Sequence, residues 1–311
     1  NKCIIMTKVH QQNIVCSFYQ FLKIVDLKNL KIKIFNQAKK NKILGTILIA
    51  QEGINGTISG NNESIKKITK LVKKEVSEDI LFKYSKNDKQ PFLRLKVKIK
   101  REIVRLGIKG LKPNVNTGKY VNPKEWDNFI TNKDVITLDT RNNYETEIGS
   151  FKESIIPKTK TFSEFPDWIK QNKEILKNKK IAMYCTGGIR CEKASSYLLD
   201  IGYEDVFQLE GGVLNYLKEV KNKKRWKGEC FVFDDRVSVN DKLEKGNFIQ
   251  CFACRNPLSK KDRLSRNYIK GVSCPNCYSK TSSKKKESFI ERQKQINLSK
   301  VRGEKHIGNK E

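Results

Sequence analysis

The stretch "YCTGGIRCEKA" (184–194) sets two cysteines, Cys185 and Cys191, around a glycine pair and an arginine. Glycines at 187 and 188 permit backbone conformations in which several N–H groups turn inward. A helix N-terminus directly after the loop would add partial positive charge, and Arg190 a full one. A thiol at the head of such a cradle is expected to ionise early and to exist largely as thiolate. Cys185 is therefore the expected catalytic thiol, with Thr186, Gly187, Gly188 and Ile189 as the anion-holding loop. The same cradle can hold a negatively charged sulfur, as in a persulfide. Four residues separate Cys185 from Arg190. Phosphatases with a thiolate nucleophile use a longer loop to encircle phosphate, so the shorter ring suits a smaller group at sulfur. Cys191 reads in two ways: a resolving thiol that pairs with Cys185 or takes its sulfur, or a small apolar residue packing at a helix start.

A second constellation lies further along. Cys251-x2-Cys254 and Cys274-x2-Cys277 are separated by 19 residues. Each pair makes a tight knuckle, and two knuckles complete the tetrahedron of a four-thiolate zinc site. Such a site leaves no open coordination position, so the expected zinc is structural. Arg255, Lys260, Lys261, Arg263, Arg266 and Lys270 surround the knuckles, either as an RNA grip or as a solvated charged face.

These groups need elements to hold them. Residues 14–21 read as a strand, and 26–41 as a helix with Asp26 at its N-cap. Residues 42–50 form a β-branched strand, "QEGING" a turn and "TISG" its continuation. Residues 61–76 are an amphipathic helix with Ile65, Ile68, Leu71, Val72 and Val76 on one stripe. Residues 92–108 alternate apolar and basic and read as a half-exposed strand. The order βαββαβ predicts a ferredoxin-like split βαβ sandwich, and "KGLKPNVNTGKYVNP" (109–123) a linker. In the second unit, strands at 134–141, 180–185 and 205–212 alternate with helices after Pro166, over 192–202 and from 213. That alternation predicts a parallel sheet with its ligand site at the strand carboxyl ends, where the 184–194 loop falls. The expected division is 1–113, 114–227, a cysteine-rich region 228–278, and a basic, disordered tail 279–311.

Length fits this count, at roughly 150 residues per domain. The 311 residues carry 64 Lys and Arg against 34 Asp and Glu, a net charge of +30. Such a charge fits a polyanionic partner, most simply nucleic acid, although Lys, Asn and Ile enrichment throughout fits compositional drift as well. No apolar run approaches the roughly 18 residues of a membrane span, and no secretory signal is read. Met6 is the expected start, residues 1–5 then being an upstream extension. Nine clustered cysteines without a secretory signal predict a reducing cytoplasm with thiol and metal chemistry. No G-x-G-x-x-G motif comes after a strand, so no nucleotide or flavin site is expected. The two histidines, His10 and His306, supply no set for an iron centre.

The loop resembles the active loop of a rhodanese homology domain. "LDTRNNYETEIGSF" (138–151), with Asp139, Arg141, Glu145 and Gly149, resembles that domain's upstream signature, and "LEGGV" (209–213) its downstream glycine pair. "ILIAQEGINGTISG" (47–60), "RLKVKIKREIVRLGI" (94–108) and "CFVFDDRVSV" (230–239) extend the likeness to the tRNA uridine-34 hydroxylase family over roughly 14–278. The resemblance implies oxygen-dependent conversion of the wobble uridine of tRNA to 5-hydroxyuridine. Dioxygen would be co-substrate, the electron donor is unknown, and Cys185 would act as the persulfide-bearing cysteine. Residue chemistry alone points instead to a sulfurtransferase, since nothing visible activates dioxygen. A non-catalytic RNA-binding module is the third reading. Asp139 and Arg141 are read as touching substrate or as bracing the loop from below. Glu52-Gly53-Ile54-Asn55-Gly56 is read as an RNA contact or as a plain β-turn.

Overall fold

The structure, a computed structural model, describes residues 13–304; His10, His306, Met6 and Cys3 lie outside the described residues. The chain divides into two compact units between Ile103 and Val104. That is earlier than the 113/114 boundary read from the glycines and prolines. Val104, Leu106, Ile108 and Leu111 pack into the core of the second unit, so the apolar residues after 103 serve that core.

The first unit runs β1 (Asn13–Phe21), α1 (Leu27–Lys40), β2 (Leu44–Ala50), β3 (Gly53–Gly60), α2 (Asn62–Glu75), β4 (Phe82–Asn87) and β5 (Leu95–Ile99). Asp26 caps α1, its Oδ1 accepting from the Asn29 N–H at 3.0 Å. Asn61 caps α2 through the Ser64 N–H. Both helices lay one stripe (Ile34, Ala38, Ile65, Ile68, Val72) on Ile47, Ile49, Ile54 and Ile58 of the sheet. Sheet order is β4-β1-β3-β2-β5. The closing strand of the ferredoxin-like motif is thus Phe82–Asn87, antiparallel to β1, which corrects the strand read over 92–108. Only Leu95–Ile99 of that stretch is extended, added parallel to β2 at the sheet edge. The sequence hides β4 because it is an edge strand that packs only Phe82 on the core and leaves Tyr84 and Lys86 exposed.

The second unit begins with β6 (Lys119–Val121), inside the stretch read as linker, and continues through α3 (Pro123–Phe129), β7 (Val135–Asp139), α4 (Asn143–Thr146) and β8 (Gly149–Phe151). Then come α5 (Phe165–Gln171), α6 (Lys173–Leu176), β9 (Lys180–Tyr184), α7 (Ile189–Asp200), β10 (Val206–Leu209) and α8 (Gly212–Glu219). Strands β6-β10-β9-β7 form a parallel sheet. One apolar layer holds Leu138, Ile181, Met183, Leu198 and Val206; the other holds Trp126, Ala182, Tyr184, Val213 and Tyr216.

The chain after α8 belongs to this unit. β11 (Trp226–Gly228) pairs with β8, and Cys230, Val232 and Val239 join the Trp126 layer. β12 (Cys230–Phe231) and β13 (Ser238–Val239) form a short hairpin. Beyond it, β14 (Ile249–Gln250), β15 (Pro257–Leu258) and α9 (Lys260–Arg263) frame the cysteine cluster. Part of the 279–311 tail read as disordered is helical instead: α10 spans Ser283–Val301, while residues 305–311 lie outside the described residues. Residues 279–301 contain no glycine or proline. Arg292 Nη2 donates to the carbonyls of Phe252 (3.0 Å) and Gly271 (2.8 Å), tying the helix to the cluster, and Ile290, Leu298 and Val301 share an apolar groove with Ile269 and Val272. Charge content alone missed this anchoring. Among the described residues no helix is long and apolar enough to cross a membrane.

Candidate active site

Strand β9 ends at Tyr184, and α7 begins at Ile189 rather than after the loop, so Arg190 and Cys191 lie in its first turn. Gly188 turns the chain into the helix with φ 103°. Its N–H donates to Cys185 Sγ at 3.0 Å. Cys185 is fully buried, and burial alone would raise its pKa. The thiol hydrogen bond from Cys191, the Arg190 charge and the backbone N–H groups of Cys191 and Arg190 outweigh it, leaving Cys185 well below the ordinary thiol range. Cys191 moves oppositely: burial, its hydrogen bond to Cys185 and the charge there hold it protonated. One proton is thus shared between two stacked thiols, with the negative charge on Cys185. Thr140 Oγ1 lies 3.6 Å from Cys191 Sγ.

Arg190 does not aim its guanidinium at the sulfur. Nη1 and Nη2 donate to Glu145 Oε2 and Oε1 at 2.6 and 2.7 Å. Burial would raise the Glu145 carboxyl, but the Arg190 charge and hydrogen bonds hold it ionised below its usual range. Glu145 also accepts from Thr186 Oγ1 at 3.2 Å and from the Asn142 N–H at 3.1 Å. The loop is therefore clamped from its own helix and from α4. The notable residue that chemistry-first reading left without a role is Glu145; its position three after Asn142, as in a capping box, was the available signal.

Asp139 and Arg141 are both fully buried. Arg141 Nε and Nη2 donate to Asp139 Oδ1 and Oδ2 at 2.9 and 2.6 Å, and Nη2 reaches the Gly149 carbonyl at 2.7 Å. The guanidinium also lies over the rings of Tyr184 and Trp226. This geometry is that of a brace tying β7 to β8 and β9 from beneath.

The glycine pair closes the site from the other side. Val213 and Leu214 N–H groups donate to the carbonyls of Cys185 (2.9 Å) and Thr186 (3.1 Å). Gly212, at φ +69°, sits so close that a Cβ there would stand 2.5 Å from the Cys185 oxygen and 2.8 Å from the Gly188 nitrogen. At the solvent side, Gly187 faces open space, and exposed Phe233 lies with its ring 5.9 Å from the Arg190 guanidinium. Phe233 is carried by the segment after β12, whose Asp234 and Arg236 repeat the Asp139–Arg141 pairing at 2.6 Å.

The second constellation also assembles. The four sulfurs of Cys251, Cys254, Cys274 and Cys277 lie within 4.8 Å of one another. Cys254 to Cys274 is 3.6 Å and Cys274 to Cys277 is 3.7 Å. Zinc–sulfur bonds of about 2.3 Å in a tetrahedron give edges of about 3.8 Å, so the donor set and its dimensions fit a metal ion such as zinc. Of the Glu52–Gly56 stretch only Glu52 lies in the turn after β2; Gly53–Gly56 open β3 and pair with β1 and β2, so the turn is shorter than read from the glycines. Asn55 Nδ2 donates to the Ile103 carbonyl, and Glu52 Oε1 accepts from the Ile103 N–H.

Comparison with known proteins assigns the two folds. Residues 13–103 match the UPF0176 acylphosphatase-like domain, and residues 122–219 match the rhodanese-like domain. Among solved structures, a protein of unknown function from Rhodopseudomonas palustris, described as a possible tyrosine phosphatase, is 23% identical over 35% of this chain and 90% of its own (TM-score 0.31). A rhodanese-related protein from Thermoplasma volcanium is 27% identical over 32% of this chain and 92% of its own (TM-score 0.26). An acylphosphatase from Coxiella burnetii is 10% identical over 30% of this chain and all of its own (TM-score 0.24). A rhodanese-like domain points to sulfur-transfer or related catalysis.

Proposed function

From the premise that the chain carries the domain architecture of the UPF0176/tRNA uridine hydroxylase family, we propose that it hydroxylates the wobble uridine of tRNA to 5-hydroxyuridine, with dioxygen as co-substrate and Cys185 as the catalytic residue. The observation that carries the reading is a thiolate-forming Cys185 in a clamped anion-holding loop, in a chain that pairs this domain with the UPF0176 one. The loop N–H groups stabilise negative charge on sulfur. Arg190 acts as a positioning residue through Glu145 and lends its charge at a distance. Because Sγ is fully buried, a persulfide is favoured over the bare thiolate: its outer sulfur sits about 2 Å further along, nearer the Gly187 opening. The base reaches that opening splayed out of the anticodon stack, and the basic surface gives binding a strong salt dependence. The four-cysteine cluster holds zinc as a structural element, and an external electron donor completes the reaction.

The second reading is sulfur transfer. It is favoured by the same cradle, which stabilises a sulfane sulfur without any group that activates dioxygen. Mass spectrometry of tRNA nucleosides from a deletion strain separates the two. Loss of 5-hydroxyuridine and its derivatives, restored by the wild-type chain and not by Cys185→Ala, is the expected result. Loss of a thiolated nucleoside would establish sulfur transfer instead. Full rescue by Cys185→Ala would remove both readings.

A further inference from the structure

The cysteine cluster does more than close a fold, because each knuckle also carries an aromatic ring. Phe252 comes directly after Cys251, and Tyr278 directly after Cys277. Both rings stand out of the core, Phe252 at 48% and Tyr278 at 39% exposure. A ring left this far in water forgoes much of its burial free energy. The neighbouring knuckle backbone fixes where each ring stands. Cys251 N–H donates to the Asn256 carbonyl and Arg255 N–H to the Cys251 carbonyl, while the Phe252 carbonyl accepts from Arg292 of α10.

Each ring carries a cation. The Arg255 guanidinium lies 5.6 Å from the Phe252 ring centre, and Lys286 Nζ 4.3 Å from that of Tyr278. Among the described residues neither cation is in an ion pair with a carboxylate. Residues 249–304 hold fourteen Lys and Arg against four Asp and Glu, so the region has charge to offer an anion. Half-exposed rings beside such cations, on a rigid frame of net positive charge, match the chemistry of unpaired RNA. Bases stack on the rings while the cations meet the phosphates. A duplex keeps its base faces covered and would use only the cations.

We propose that Phe252 and Tyr278, with Arg255 and Lys286, form a stacking site for unpaired RNA bases on the cysteine-cluster region. The choice of RNA rests on the tRNA reading above. The contact is tolerant of sequence, since every base offers a π-face, and it supplies affinity rather than base choice.

The test uses the full chain, fluorescence anisotropy, and two labelled RNAs, an unstructured 12-mer and a blunt hairpin duplex. Phe252→Leu and Tyr278→Leu should each weaken 12-mer binding about ten-fold and leave hairpin binding within two-fold. The slope of log affinity against log salt should stay unchanged in both. Lys286→Gln should reduce that slope by about one. Zinc content per chain guards against misfolding; if Phe252→Leu loses zinc, Tyr278→Leu and Lys286→Gln decide. Aromatic variants that bind the 12-mer within two-fold of wild type would overturn the proposal, as would equal losses on both RNAs. Either failure leaves the hydroxylase reading to the nucleoside profile, which does not depend on this binding measurement.

Discussion

Replacing Gly212 with alanine tests whether the loop geometry depends on an absent side chain. Two effects separate cleanly, because Gly211 and Gly212 both have positive φ, +71° and +69°. An alanine at either position costs about 1–3 kcal/mol of backbone strain. At Gly211 the nearest atoms to the new Cβ all belong to Asn215 (Cβ 2.7 Å, Nδ2 2.9 Å, Cγ 3.0 Å), so relief comes from a shift of α8 and not from the loop that holds Cys185. At Gly212 it meets backbone on three sides: the Cys185 oxygen at 2.5 Å, and the Gly188 nitrogen and Thr186 oxygen at 2.8 Å. To restore an ordinary contact of about 3.5 Å, the loop must retreat by about 1 Å. That retreat breaks the Val213 N–H to Cys185 carbonyl bond and moves the Gly188 N–H that faces the sulfur. A displacement of about 1 Å at a reacting centre costs on the order of 100-fold in rate. Gly211→Ala should therefore lose stability with activity within about five-fold of wild type, while Gly212→Ala loses similar or greater stability and about 100-fold in activity. Denaturant unfolding and 5-hydroxyuridine formation in the complemented deletion strain measure the two quantities. Equal activities in the two variants would refute the reasoning, because the pair would then matter only through its dihedral angles.

Cys191→Ala removes a thiol donor from the Cys185 thiolate and should shift the ionisation of Cys185 to higher pH, while Cys191→Ser keeps a donor and most of the activity. The readout is the pH-dependent 240 nm absorbance difference against Cys185→Ala, and activity of Cys191→Ser below a thousandth of wild type, with fold intact, would contradict it. Since the folded pKa of Cys185 lies below its unfolded value, the unfolded chain holds the proton longer. The stability advantage over Cys185→Ala should be fully present above about pH 8.5–9 and fade as pH falls through the folded ionisation; unfolding free energies across that window check the sign. Arg190→Ala or Glu145→Ala strands a buried charge and should cost about 3–5 kcal/mol, with the double variant costing less than the sum; an additive cycle would mean the pair is not coupled. Protein purified without chelator should hold about one zinc per chain, and metal analysis below half would count against the cluster as a zinc site.

Periodicity and motif spacing carried a good part of this protein. The stripes of α1 and α2, the Asp26 cap, the β9-loop-α7 turn and the four-cysteine cluster arise from residue types at fixed intervals, and the structure has all of them. What the sequence concealed depends on partners far along the chain. Strand β4 is half polar because its edge position needs few apolar residues. Helix α10 looks like a solvated charge run until Arg292 is seen reaching two carbonyls. Arg190 looked like an anion ligand because spacing reports proximity to Cys185, but the buried carboxylate that turns it away comes from 45 positions earlier. Residues 104–108 continue a strand-like alternation that belongs to a different core.

The segment after α8 has a consequence for modularity. The rhodanese-like match ends at residue 219, yet Trp226 roofs Arg141, Cys230 fills the Trp126 layer, and Phe233 stands at the mouth of the loop. A protein ending at 219 would expose one side of its own core and uncover the guanidinium that ties three strands together. The recognisable pattern and the cooperative folding unit have different borders. Any exchange of this domain between proteins would have to carry the chain through Val239, or receive an equivalent roof from the recipient.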